Sequence, residues 1–304
     1  MGYPKIPFLL LPLTRAEVPG WGQLTRMFGI MEPLGSQSWQ HAPTREIRGK
    51  THGFLMQLDL RDWAERMTYF LGRYYELPQQ LLFQKVLQRG DRVVDIGGNI
   101  GMITLVAARA VGSTGVVETF EPNPECLKRL RETIARNQID WVQLHPYGAS
   151  DQPGTLELTV FDGHSGVGTF AAIGADDPAA THRMLLELVR ADDVLARDPR
   201  PIKLIKLDVE GFETKALNGL LETLKRHRSM VVVETVEAHL RRAGSSSDEL
   251  FGLMHGLGYR AYALSSKREG MRHGLALTPV VKPSDLGTAT DLLWTHPEGP
   301  SAGV

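Results

Sequence analysis

The chain has 304 residues, 34 Lys and Arg against 35 Asp and Glu, a formal net charge of −1, and 42% hydrophobic residues. Such a chain can bury a sizeable core, and its charge balance gives nucleic acid or an anionic membrane no general electrostatic hold. Its single cysteine, Cys126, excludes an internal disulfide; with no metal-ligand partner nearby it reads as structural and fits a reducing compartment.

The first apolar run, "IPFLLLPL", is interrupted by Pro7 and Pro12 and lacks a basic stretch followed by an Ala-x-Ala cleavage site. No apolar stretch approaches the roughly 20 residues of a membrane-spanning helix. These features predict a cytoplasmic protein without a membrane partner. Residues 1–69 are rich in Pro, Gly and Trp with weak periodicity, and read as an irregular N-terminal arm or lid. An apolar arm packs on the body or on a second subunit, so a homodimer is one expectation. Within it, "GFLMQLDL" (53–60) suits a strand. In "LPQQLLFQKVLQRG" (77–90), Leu81, Leu82, Val86 and Leu87 form a helical stripe between Pro78 in the first turn and Gly90 at the stop.

An alternation then begins. "RVVDIG" predicts a buried strand, "GMITLVAARAV" a helix apolar nearly all round, and "GVVETFEP" a second strand. "PECLKRLRETIARN" follows as an amphipathic helix carrying Leu127, Leu130 and Ile134 on one side, and "WVQLHPYGAS" as a third strand. Strand and helix at this spacing indicate parallel βαβ units. From about 153 to 190 the rhythm breaks: "GTLELTVF" alternates with period two, and "GHSGVGTF" reads as a loop or hairpin arm. An antiparallel insertion over the sheet is predicted there. The alternation resumes with "PIKLIKLDVEG", "ETKALNGLLETLKRH", "SMVVVETV", "SSDELFGLMHGLGY", "RAYALSS" and a last strand, "TDLLWTHP", before a tail at 298–304.

"VVDIGGNIG" places Gly97, Gly98 and Gly101 between the first strand and its helix. Ligands of open α/β sheets bind beyond the carboxyl ends of the strands, and glycine there lets a ligand approach the backbone. The spacing differs from the dinucleotide pattern Gly-x-Gly-x-x-Gly. Asp95 precedes the loop and would repel a pyrophosphate, whereas its carboxylate suits a cationic amino-acid ammonium. Glu121 in "TFEPNP" closes the second strand, where a carboxylate accepts hydrogen bonds from both ribose hydroxyls. The pattern fits S-adenosylmethionine better than NAD.

"VVDIGGNIGMITLVAA", "FEPNP", "GASD" and "IKLDVEGFETKAL", followed by "VVVE", together resemble the FkbM-type methyltransferases over residues 70 to 297. The resemblance implies a Rossmann-like class I methyltransferase domain with a seven-stranded, mostly parallel sheet, bearing the antiparallel insertion and the N-terminal arm. It implies S-adenosylmethionine as cofactor and methylation of a hydroxyl on a sugar, polyketide or other small-molecule acceptor. Gly98 departs from the family, which usually has alanine there, a change expected to leave cofactor binding intact. Carried over, Asp95, Gly97, Gly98, Asn99 and Gly101 hold the amino-acid end, Glu121 with Pro122 the ribose side, and Gly148 and Ala149, with Ser150, the adenine edge. Tyr75 and Glu76 in "YYELP" reach the methionine carboxylate or roof the site.

Deprotonating an alcohol acceptor calls for a general base or a metal. "KLDVEGFE" offers Asp208, Glu210 and Glu213, and Glu234 ends the adjacent strand. Carboxylates meeting at a sheet edge need a proton, a lysine or a cation between them, and Lys206 points to the face of Asp208. Asp208 is the expected base; alternatively Asp208 and Glu234 bind Mg²⁺. His164 in the insertion and His239 after the fifth strand are alternative bases. Rival readings are N-methylation on the same fold, an NAD-dependent oxidoreductase, and a non-catalytic scaffold.

Overall fold

Alternation of apolar residues on both sides of "RVVDI" buries all five positions of the strand Arg92–Ile96 (β1). Such two-sided burial is the mark of a parallel strand covered by helices on both faces. β1 sits inside an eight-stranded sheet completed by Val116–Phe120 (β2), Val142–His145 (β3), Ile202–Leu207 (β4), Met230–Glu234 (β5), Arg260–Glu269 (β6), Arg272–Val280 (β7) and Asp291–Thr295 (β8). The order across the sheet is β7-β6-β8-β5-β4-β1-β2-β3. β3, β2, β1, β4 and β5 run parallel, and β8, β6 and β7 add antiparallel pairings. The computed structural model describes residues 2–31, 38–161, 168–169, 180–270 and 272–302.

This is the expected class I architecture with one strand more than the expected seven. The extra strand, β7, carries Gly274 and Pro279, which weaken the strand signal in the sequence. Both are tolerated because β7 is an edge. The chain runs outward from β1 to β3 on one side and from β4 to β5 on the other. The reversal between β1 and β4 therefore opens a crevice at their carboxyl ends.

Two apolar layers clamp the sheet. Val93, Val117, Leu204 and Val232 face the helices Leu77–Val86 (α1) and Met102–Val111 (α2), while Val94, Ile96, Ile205 and Leu207 face the opposite layer with Leu217, Leu224 and Leu250. Each such fully buried side chain contributes about 1.5–3 kcal/mol of transfer free energy. Pro124 at the first position and Asn123, whose Oδ1 accepts from Glu125 N at 3.0 Å, start the helix Pro124–Arg136 (α3). The helix expected over 213–227 is split into Glu213–Asn218 (α4) and Leu221–His227 (α5).

The N-terminal arm is not irregular. Residues Ile6–Leu9, Leu11–Arg15 and Trp21–Met27 form short helices, the first two with Pro7 and Pro12 in their opening turns. Phe8 packs against Tyr69 and Phe70 with centroids at 5.9 and 5.3 Å, and Thr14 Oγ1 donates to Phe70 O at 2.8 Å. A hairpin of Thr44–Arg48 and Leu55–Asp59 leads into a helix, Trp63–Leu71, that the sequence reading missed. Its cap is Asp62, whose carboxylate accepts from Ala64 N and Glu65 N.

The expected third strand is divided. β3 stays in the main sheet, and Gly148–Ala149 crosses to a second sheet with Ala180–Val189, Gly154–Phe161 and Gly168–Thr169. The latter three pair antiparallel, and the sheet carries Leu186 and Leu188 to the crevice. Among the described residues no helix is long and apolar enough to cross a membrane.

Candidate active site

A cavity of about 230 Å³ opens at the carboxyl ends of β1, β2, β4 and β5. Gly97, Gly98, Asn99, Glu121, Pro122, Gly148, Ala149, Glu76, Asp208 and Glu234, all expected site residues, lie on its wall. Asp95 and Gly101 do not, and His164 falls outside the described residues. Ser150 is also absent from the wall; its hydroxyl donates to Asp151 Oδ1 at 3.0 Å.

Asp95, expected to grip an ammonium directly, does not line the cavity wall. Asp95 is 0% exposed beneath the glycine loop, where Thr104 Oγ1 donates to its Oδ2 at 2.6 Å. Its Oδ1 has no hydrogen-bond partner but lies 3.6 Å from Lys206 Nζ. Lys206 is paired in register with Asp95 across the parallel strands and donates to the carbonyl of Gly97 at 3.0 Å. The same ammonium stands 3.3 Å from Asp208 Oδ2. Burial alone would push the lysine pKa down, but Asp208, Asp95 and Glu76 outweigh it and raise it.

Close packing requires the absence of a side chain at two of the loop glycines. Gly97 has φ +83°, and a Cβ there would come within 1.9 Å of the Asp208 carbonyl oxygen. Its bareness lets the β1 loop pass against the end of β4. Gly98 has no positive φ; a Cβ there would lie 2.1 Å from Thr119 Cγ2. The Thr119 methyl therefore occupies the space that an alanine side chain would need.

Glu121 is held ready rather than free. Its Oε2 accepts from Asn99 N at 2.7 Å and its Oε1 from Asn123 N at 2.8 Å. Burial pushes its pKa up to about 7, against the pull of those two N–H groups. Around it the wall is apolar: Phe120, Pro122, Tyr147, Leu186 and Leu188. Cys126 also touches the cavity, its thiol pushed up by burial.

The same cavity is also lined by a group of acids. Glu76 is raised well above the carboxylate range by burial and by Asp291 and Asp208. Gln79 Nε2 bridges Glu76 Oε2 at 2.8 Å and Asp291 Oδ1 at 3.0 Å. Asp291 is pushed up to about 7 by burial and by the charges of Asp208 and Glu234, and stands directly opposite Glu234 in the β5–β8 register. Only that antiparallel register brings it there, so no local pattern could have revealed it.

Glu210 lies at φ 53° after β4, and Glu234 ends β5. They meet His239 of the helix Glu237–Arg242 (α6): His239 Nδ1 is 3.2 Å from Glu210 Oε2 and 3.8 Å from Glu234 Oε2. Glu213 is corrected to a structural role, its Oε1 accepting from Val209 N and Gly211 N at 3.0 and 3.1 Å. Asp208 and Glu234, the expected metal pair, have different neighbours. Asp208 goes with Lys206, and the one trio of candidate ligands found among the described residues is Glu210, Glu234 and His239.

The family profile described as "Methyltransferase FkbM domain" matches residues 95–261. Methyltransferase sdnD of Sordaria araneosa is 32% identical over 211 residues, covering 57% of this chain and 80% of that protein. Methyltransferase 1 of Beauveria bassiana is 30% identical over 144 residues, covering 42% of this chain and 57% of the relative. The hexuronic acid methyltransferase AglP of Haloferax volcanii is 26% identical over 147 residues, covering 48% and 56%. The chain thus spans little more than half the length of two of these relatives. A crystal structure of methyltransferase FkbM from Methylobacillus flagellatus aligns with TM-score 0.41 and 13% identity, covering 91% of this chain and 60% of that one, too distant to add weight.

Proposed function

The chain belongs to the FkbM methyltransferase family, and from that membership we propose an S-adenosylmethionine-dependent O-methyltransferase acting on a hydroxyl of a sugar or other small natural product. The observation that carries the reading is the lining of one cavity at the carboxyl ends of the parallel strands: Glu121, apolar Phe120, Tyr147, Leu186 and Leu188, and the carboxylates Glu76, Asp208, Glu210 and Glu234 around Lys206. S-adenosylmethionine offers a partner for each kind of group, with adenine, a ribose diol, and a sulfonium beside an ammonium. NAD would set two phosphate charges against those carboxylates, and the repulsion disfavours it.

Fit of the cofactor is therefore judged on the donor set. Phe120, Tyr147, Leu186 and Leu188 would enclose the adenine, Glu121 would accept from the ribose hydroxyls, and Glu76 with Asp208 would face the cationic end. Glu76, kept protonated by burial and its acidic neighbours, would donate to the methionine carboxylate or accept from the ammonium. Asp95 acts as a positioning residue, fixing Lys206 and through it the Gly97 carbonyl.

When bound, the cofactor supplies an electrophilic methyl carbon with a neutral thioether as leaving group. The chain supplies orientation and proton removal. Asp208, about a quarter exposed and aimed at the cavity, accepts the proton of the acceptor hydroxyl as general base. Lys206 limits the repulsion that a second anion would otherwise create there. Residues 1–69 would serve as a lid over the site, since Asp62, Trp63 and Glu65 reach the cavity wall. Likeness to a hexuronic acid methyltransferase supports a sugar acceptor.

Calorimetric titration tests the reading. Micromolar binding of S-adenosylhomocysteine with no heat from NAD supports it. NAD binding without S-adenosylhomocysteine binding overturns it in favour of an oxidoreductase, and binding of neither favours a scaffold.

A further inference from the structure

We infer that Glu210, Glu234 and His239 form a divalent-cation site among the acids of the cavity. One ligand atom from each residue lies within 4.8 Å of the others. Ligand atoms about 2.1 Å from a common ion sit about 3 Å apart when adjacent and about 4 Å apart when opposed. The His239 Nδ1 separations of 3.2 and 3.8 Å fall on that scale.

His239 Nδ1 is held by charge more than by an aligned hydrogen bond, with Glu210 Oε2 and Glu234 Oε2 both approaching it. A cation bound among the three would engage that nitrogen and neutralise both carboxylates. The nearby ammonium of Lys206 is committed to Gly97 O, Asp95 and Asp208. Two glutamates are thus left facing an imidazole and further acids.

The trio is also prebuilt. Glu210 is held in the left-handed region at φ 53°, which costs a residue with a side chain free energy. Gly211, at φ +109°, follows it, and a Cβ there would meet the His239 carbonyl oxygen at 2.3 Å. The turn after β4 is therefore seated directly on the first turns of α6, which fixes Glu210 beside His239. Glu234 arrives independently from the end of β5.

One imidazole and two carboxylates make a borderline-to-hard set suited to Mn²⁺, Fe²⁺, Co²⁺ or Zn²⁺ more than to Mg²⁺, which prefers oxygen ligands throughout. Glu210 and Glu234 line the cavity, so the open coordination positions face the space for an acceptor. There the ion would bind the acceptor oxygen and ease its deprotonation. That role rests on the methyl-transfer reading; the binding of the ion does not.

The test is titration of the full chain with Mn²⁺ alone, followed by the loss of the free-ion electron paramagnetic resonance signal. The expected result is one Mn²⁺ per chain, tighter than Mg²⁺, with affinity reduced roughly 10–100-fold or more in Glu234→Gln and His239→Gln. Circular dichroism melting and S-adenosylhomocysteine affinity of His239→Gln, both close to wild type, show that the variant folds. Absence of Mn²⁺ binding, or binding that survives both substitutions, overturns the site and leaves an imidazole paired with glutamates. S-adenosylhomocysteine binding without Mn²⁺ binding defeats this inference alone. Mn²⁺ binding without S-adenosylhomocysteine binding defeats the methyltransferase reading alone.

Discussion

Lys206 and Asp95 stand opposite each other on adjacent parallel strands, with Nζ 3.6 Å from Oδ1, both buried beneath the glycine loop. The pair links the loop to the chemistry: the same ammonium holds the Gly97 carbonyl on one side and approaches Asp208 on the other. Asp95 is thereby tied to the crevice through Lys206 although it does not line the wall.

Asp95→Ala is accordingly expected to damage folding as well as binding. Removing one partner of a buried ion pair costs about 3–5 kcal/mol. Thermal melting should drop by several degrees or more, with S-adenosylhomocysteine affinity reduced at least tenfold. A variant that lost affinity with an unchanged melting point would restore the direct contact that burial argues against.

Cofactor affinity should depend on pH through Glu121. Its carboxyl titrates at about 7 without a ligand, and ribose hydroxyl donors favour the ionised form. Binding below that value must release a proton, so affinity for S-adenosylhomocysteine should fall as pH drops below about 7, approaching tenfold per unit, and should level off above it. Glu121→Gln should flatten the profile and weaken binding. Calorimetry over a pH series reads both.

Gly98→Ala should be destabilising in this chain. The new methyl would overlap Thr119 Cγ2 at 2.1 Å, an overpacking that costs about 1–3 kcal/mol. Thr119→Ala should relieve it, so the double variant should melt above the Gly98→Ala single. Additive losses in the two singles and the double would show that the two side chains do not compete for space.

Asp208→Asn should cut turnover about 10²–10⁴-fold with S-adenosylhomocysteine affinity within a few-fold of wild type. Full turnover in this variant would remove Asp208 as base. It would also fit an amine acceptor, which needs no strong base.

Much of this site was legible because its chemistry sits beside its structural cues. The strand before Gly97 and the acid closing the next strand announce a crevice at the carboxyl ends of β1 and β2 through local pattern alone. The division of "WVQLHPYGAS" between two sheets was not legible, because the segment carries one continuous strand signal and only pairing with Ala180–Val189 separates its end. The strand β7 was hidden by its own Gly274 and Pro279. Lys206 was readable from its two-residue offset to Asp208, but Asp291 and the meeting of Glu210 with His239 depend on tertiary register and on a left-handed turn. The strand "RVVDIG" reads as buried, but that Asp95 is covered by Thr104 and Lys206 and does not face the crevice depends on tertiary packing.

The most direct measurement is a crystal structure of the chain with S-adenosylhomocysteine. The account predicts both ribose hydroxyls within hydrogen-bond distance of Glu121, adenine between Phe120 and Leu188, and the sulfur turned toward Asp208. An adenosyl group bound elsewhere, or a nicotinamide in the crevice, would contradict it.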